Sequence, residues 1–217
     1  MTKTLTRAPA LLCAAALLAG CLGAQAEVTL KKDGSGTVTL EYRIAKALDE
    51  LGAFDGNERW LSVPVGRADV ERGLKRLSGV SLRSFSSHQD DRDTIVNMTL
   101  RFESPAALAA LLDSGGTKAV YSEAGGVHQL LLRVAEEQPA PDPALGALLA
   151  EAAAGYSLGF TLHLPSEGKL LACDASGGAA ALPEGAALVG QGRTVSFNAP
   201  LEGLAGASKG LLLTVEW

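Results

Sequence analysis

Cysteine, histidine, aromatic residues and basic charge are all scarce in this chain, and each shortage narrows what the protein can be. It has three cysteines and three histidines among 217 residues, and aromatic side chains make up 5%. The formal net charge is −5, with 19 Lys and Arg against 24 Asp and Glu. Domains that bind nucleic acid carry a basic footprint, so we expect no nucleic-acid partner. The hydrophobic fraction of 47% is ample for a core, which Leu, Val and Ala must fill.

A long apolar run is also missing from the N-terminal part. The stretch from Ala8 to Gly20 is about a dozen residues, whereas a membrane-spanning helix needs roughly 20. This stretch follows Lys3 and Arg7 and ends in small residues. A basic start, a short apolar middle and a small-residue exit are typical of a secretory signal, which we predict over residues 1–20.

The exit of this signal carries a more specific pattern, Leu18-Ala19-Gly20-Cys21. It resembles the lipobox of bacterial lipoproteins, in which the cysteine thiol receives a diacylglycerol and becomes the mature N-terminus. The resemblance implies two or three acyl chains on Cys21, enough for stable membrane anchoring. A second exit site stays open: Ala24-Gln25-Ala26 before Glu27 fits ordinary signal cleavage, which would release a secreted protein.

The lipoprotein resemblance also implies a location at the cell envelope. In bacteria with two membranes an Asp after the lipidated cysteine often means retention in the inner membrane, and here that residue is Leu22. We therefore expect the outer membrane or a periplasm-facing position. Residues 22–26 are predicted to form a tether that spans at most about 17 Å, so we expect the folded part to lie close to the lipid. Removal of residues 1–20 leaves 17 basic and 24 acidic side chains, so the lipid anchor rather than basic charge would bind the membrane.

The mature chain shows the patterns of an α+β domain. Apolar and polar residues alternate before and after the turn at 33–36, which predicts a β-hairpin. Ser104 followed by Pro105 predicts a capped helix start. The whole pattern predicts mostly antiparallel strands with three or so helices on one face.

The domain organisation is indicated by a Glu- and Pro-rich stretch at 136–141. We predict an α+β domain over residues 27–135. Residues 136–217 are predicted to form a helix and antiparallel strands, either as a separate unit or continuous with the preceding sheet.

Two motifs resemble functional sites without the context that those sites need. Residues 155–159 read Gly-Tyr-Ser-Leu-Gly, yet a helix precedes this motif and a strand runs through it, the reverse of a hydrolase nucleophile elbow. The acidic stretch at 90–93 after His88 lacks the glycine and distal glutamate of a calcium loop, and is read as a solvated turn.

The remaining candidate ligands are isolated in the sequence. His88, His128 and His163 are too widely spaced to predict a metal site. With Cys13 in the signal and Cys21 lipidated, Cys173 has no cysteine left to pair with, and we predict a small buried side chain. The sequence thus predicts no catalytic, metal-binding or cofactor-binding residue.

These observations predict a membrane-anchored, non-enzymatic binding or interaction module with an envelope protein as partner. The alternative is a carrier of a lipid or other apolar ligand, in a cavity lined by the aliphatic faces of 38–44, 94–102 and 156–164. An acid, a histidine and a nucleophile brought together by the fold would instead favour an enzyme.

Overall fold

The computed structural model describes residues 22–46, 64–113, 118–137, 143–174, 176–205 and 209–217, which form a mostly antiparallel ten-stranded sheet with helices. The strands are β1 (Leu22–Leu30), β2 (Gly36–Ala45), β3 (Val80–Gln89), β4 (Asp93–Phe102), β5 (Ala119–Ala124), β6 (Val127–Glu137), β7 (Ser157–Cys173), β8 (Ala187–Val189), β9 (Gln191–Pro200) and β10 (Lys209–Glu216). The helices are α1 (Arg67–Leu74), α2 (Pro105–Leu112), α3 (Pro143–Ala153) and the short α4 (Leu201–Ala205).

The strand order places the first strand in the middle of the sheet. The order is β3-β4-β2-β1-β7-β10-β6-β5, and β9 pairs with both β7 and β8. β1 is antiparallel to β2 and parallel to β7. The hairpin predicted around the turn at 33–36 is present as β1–β2. β3 and β4 form a second hairpin, and the two hairpins join through β4 and β2.

β1 begins at Leu22, five residues earlier than the sequence predicts. The stretch 22–26, predicted to be a tether, pairs with β2 from Leu22 opposite Ile44 to Ala26 opposite Leu40. Part of it also pairs with β7, where Ala24 lies opposite Leu158. Glycine and alanine have low strand propensity and show no alternation, so the pattern hides this part of the strand.

β7 connects the two parts of the sheet. Its first half lies between β1 and β9, and its second half pairs with β10. The β5–β6 hairpin then joins β10. Residues on both sides of the predicted boundary at 136 therefore belong to one sheet.

The inner faces of these strands and the helices share one hydrophobic core. Val38, Leu100 and Leu162 are at most 2% exposed, and Leu108 of α2 and Val70 of α1 belong to the same cluster. α2 begins as predicted, because the Ser104 hydroxyl accepts a hydrogen bond of 3.1 Å from the Ala107 amide. That all the helices share one face of the sheet stays a prediction. Within the described segments, no helix has the length and apolar character needed to cross a membrane.

Candidate functional site: a cationic groove at the bend of β7

The predicted lipidation site lies outside the described residues. This holds for Cys21 and for the preceding Leu18, Ala19 and Gly20. Leu22, the residue after Cys21 in the sequence, is the first residue of β1.

The glycine-serine-glycine motif begins a strand, as its sequence context indicates. Gly155 has a φ of +82° in the turn after α3, a conformation that favours glycine. Ser157 is the first residue of β7, and its hydroxyl accepts a 2.9 Å hydrogen bond from the side-chain Nε2 of Gln25. The motif therefore starts a central strand instead of forming a nucleophile elbow.

The acidic stretch at 90–93 closes the β3–β4 hairpin. One Asp90 carboxylate oxygen accepts hydrogen bonds from the Asp93 amide at 2.7 Å and from the Arg92 amide at 2.8 Å. These two bonds, in that order, hold the pKa of Asp90 below its usual value. Across the part of the chain that the structure describes, no three His, Cys, Asp or Glu side chains are grouped so as to hold a metal ion.

A buried tyrosine–aspartate pair lies beside this turn, and no sequence pattern predicted it. The Tyr156 hydroxyl donates a 2.6 Å hydrogen bond to Asp93, which is 5% exposed. Burial, and then the bond to Asp93, raise the pKa of Tyr156 to about 12. The Arg92 guanidinium lies 5.7 Å from the tyrosine ring centroid. The pair fastens the β3–β4 turn to the start of β7, a structural role.

His128 lies in an aromatic cluster at the other end of the sheet. Its ring stacks on Trp217 at a centroid distance of 5.4 Å and on Tyr121 at 6.1 Å. The Tyr121 hydroxyl is 2.8 Å from His128 Nδ1 and donates to Glu123 at 3.1 Å. These contacts join the ends of β5, β6 and β10.

A groove opens where β7 bends. β1 covers one edge of β7 as far as His163, β10 begins to pair at Lys169, and the register with β9 shifts between His163 and Gly168. The opening has a volume of about 490 Å³. Residues 29–32, residues 163–165, Arg193 and Thr194 line it.

The groove is cationic although the chain is acidic. Lys31, Lys32 and Arg193 line it, and none of the described residues that line it is acidic. Among the described residues, no carboxylate lies within 4.0 Å of these three cationic groups. Arg193 donates one hydrogen bond, 3.0 Å long, to the Pro165 carbonyl. A guanidinium has five N–H donors, so most of them stay available to a ligand.

His163 is held in a row of polar side chains across three strands. Its Nε2 is 2.9 Å from a Glu27 carboxylate oxygen and its Nδ1 is 3.1 Å from the Thr194 hydroxyl. A carboxylate only accepts, so Nε2 carries hydrogen and, in the neutral ring, Nδ1 accepts from Thr194.

The row has the hydroxyl–imidazole–carboxylate order of a hydrolase triad. The His163 side chain is 38% exposed and the Glu27 side chain 62% exposed, so water competes for both hydrogen bonds. We therefore interpret the row as a device that orients His163 on the groove wall.

The faces proposed to line an apolar cavity contribute to the core. Val38, Met98 and Leu162 are at most 5% exposed and lie in one cluster. Cys173, predicted to be buried, is half-buried and has a free thiol. Carriage of an apolar ligand stays a prediction.

No known protein family matches the chain, and no curated protein is similar to it in sequence. The fold is similar to the folded domain of LppM from Mycobacterium tuberculosis, solved by NMR, with 13% identity and a TM-score of 0.44. The match covers 91% of this chain and 90% of that one. A similarity of this degree supports no inference about function.

Proposed function

We propose that this protein is a lipid-anchored, non-enzymatic interaction module of the cell envelope, held at the membrane by acyl chains on Cys21. The proposal rests on the lipobox pattern together with the position of β1. Leu22, instead of Asp, after the cysteine favours the outer membrane in a bacterium that has one.

The start of β1 supports one of the two cleavage sites that the sequence leaves open. Processing before Cys21 leaves β1 whole. Cleavage after Ala26 would remove five of its nine residues, which pair with β2 from Leu22 to Ala26. It would also remove Gly23, where an added Cβ would lie 3.2 Å from the Tyr156 ring. A chain that begins at Glu27 would lack half of a central strand, which supports the proposed processing at Cys21.

The same observation supports a proposed orientation on the membrane. β1 begins at Leu22, the residue after the proposed lipidation site, so acyl chains on Cys21 would lie next to the sheet. The start of β1 and the end of β2 lie at the same end of the sheet, since Leu22 pairs with Ile44. We place this end at the bilayer and the opposite end, with the turn at 31–35, away from it.

Fractionation of cells that express the full chain tests the anchor. The wild type is expected in the membrane fraction, extracted by detergent and not by high salt. Cys21→Ser should lose acylation and appear unprocessed or cleaved elsewhere, whereas Cys173→Ser, a matched control at the other thiol of the mature chain, should fractionate like the wild type. A Cys21→Ser variant that still incorporates labelled fatty acid would refute the proposal.

The interaction role calls for a partner, which we propose is an envelope protein. Crosslinking on intact envelopes followed by mass spectrometry is expected to recover a defined complex. Native mass spectrometry of the purified protein tests the carrier alternative, because a co-purifying lipid of defined mass would favour carriage over protein binding.

A further inference from the structure

We propose that the groove at the bend of β7 binds an anionic group, a phosphate, sulfate or carboxylate, through Lys31, Lys32 and Arg193. This inference does not depend on the anchor. It rests on an opening in the surface, on three cationic side chains that line it with no described carboxylate within 4.0 Å, and on contacts that hold the turn and Arg193 in place. After the two hydrogen bonds from Ser35, the charge of Lys31 also helps to lower the pKa of Asp33, so this carboxylate partly offsets one of the three cations.

The two lysines lie on a preorganised turn. The Lys31 amide donates to the Ser35 carbonyl at 2.8 Å, and the Gly34 amide donates to the Lys31 carbonyl at 3.0 Å. Asp33 accepts from both the amide and the hydroxyl of Ser35. Gly34 has a φ of +78°, and an added Cβ would lie 3.0 Å from Pro105. The turn therefore presents the lysines at the groove with little backbone freedom to lose on binding.

Arg193 reaches the groove from the other side of β7. Its bond to the Pro165 carbonyl fixes the guanidinium at the bend, 3.0 Å from that oxygen. Lysines on one wall and an arginine on the other suit a tetrahedral or planar oxyanion, because charge-assisted hydrogen bonds from both sides are stronger than neutral ones.

His163 lies on the wall of the groove, where its contacts with Glu27 and Thr194 orient the ring. The charged residues that line the groove or lie beside it are Glu27, Lys31, Lys32, Asp33 and Arg193.

The position of the groove separates it from the anchor. Leu30 follows Leu22 by eight strand residues, which corresponds to about 26 Å at roughly 3.3 Å per residue. An anion that binds here can come from solution or from an envelope polymer, or from headgroups of a membrane that faces this end.

NMR titration of the full chain in a non-ionic detergent with sodium sulfate tests the site. We expect saturable shifts of the backbone amide signals at 29–32, 163–164 and 193–194. The dissociation constant for sulfate should be about tenfold higher for Arg193→Gln than for the wild type.

Matched variants separate a site from general screening. The triple variant Lys31→Gln, Lys32→Gln, Arg193→Gln should lose saturable binding. The control Lys75→Gln, Arg76→Gln, Arg83→Gln removes the same charge from exposed positions in the turn after α1 and in β3, and should bind like the wild type. Equal loss in both triples, or shifts that rise linearly without saturation, would overturn the proposal.

A vesicle-binding experiment identifies the source of the anion. Phosphatidylcholine vesicles with and without phosphatidylglycerol are added to a chain that begins at Leu22, which lacks both the signal and the acyl chains. Vesicle binding that needs phosphatidylglycerol and the three groove cations assigns lipid headgroups. Sulfate binding without vesicle binding assigns a soluble or polymer-borne anion, and the absence of both would refute the site.

Discussion

Removal of residues 22–26 is the perturbation that probes the early start of β1. These residues hold five of the nine register pairs with β2 and three of the six with β7. Their loss removes about eight backbone hydrogen bonds, each with a net contribution of about 1 kcal/mol. The shorter chain also avoids the entropy cost of ordering these five residues, about 1–2 kcal/mol each, which offsets most of the lost hydrogen-bond energy.

The remaining cost comes from the core beneath the lost segment. Tyr42 and Ile44 lie opposite Ala24 and Leu22 and are 3% and 1% exposed. Uncovering each side chain costs about 1.5–3 kcal/mol. The expected loss is therefore about 3–6 kcal/mol, a large part of the roughly 5–15 kcal/mol by which domains are stable.

Urea unfolding followed by circular dichroism compares two chains, one that begins at Leu22 and one that begins at Glu27. We expect a much lower midpoint for the shorter chain, and a melting temperature lower by at least about 6 °C. Equal midpoints would refute the claim that 22–26 belong to the folded body, and would reopen cleavage after Ala26.

Three further predictions concern single residues. Tyr156→Phe should lower the free energy of unfolding by about 1–2 kcal/mol, because the buried Asp93 loses a hydrogen bond. Unchanged stability in urea would contradict a stabilising hydrogen bond between Tyr156 and Asp93. The pKa of Tyr156 is raised to about 12 from an ordinary value of 10. The protonated hydroxyl therefore makes its full contribution to the free energy of unfolding below pH 10, and this contribution is lost as the pH rises through 12. Over that range the stability of the wild type should fall more steeply than that of Tyr156→Phe. Ser104→Ala should destabilise by about 1 kcal/mol through loss of the helix cap, and Ser104→Asp, which can also cap, should not. Hydrolysis of p-nitrophenyl acetate should be equally slow for the wild type and for Thr194→Val; a rate that depends on Thr194 and His163 would show that the hydroxyl–imidazole–carboxylate row is catalytic.

Local patterns predicted much of this fold. Alternation of Val38, Leu40 and Tyr42 located β2, and Ser104 with Pro105 located the start of α2. Such signals depend on neighbours in the chain, through side-chain period and capping chemistry. They survive folding because tertiary contacts reinforce them.

The errors arose where partners distant in the chain decide the structure. Residues 22–26 have little strand propensity and form a strand because β2 and β7 lie on both sides. The groove depends on the parallel register that sets Thr29 beside His163, 134 positions apart. No local pattern encodes that register, so Lys31, Lys32 and Arg193 could not be grouped from the sequence.

The intact mass of the protein extracted from bacterial membranes tests the central claim most directly. The account predicts a chain that begins at Cys21 and carries the added mass of two or three acyl chains. An unmodified chain that begins at Glu27 would contradict both the anchor and the role of residues 22–26 in β1.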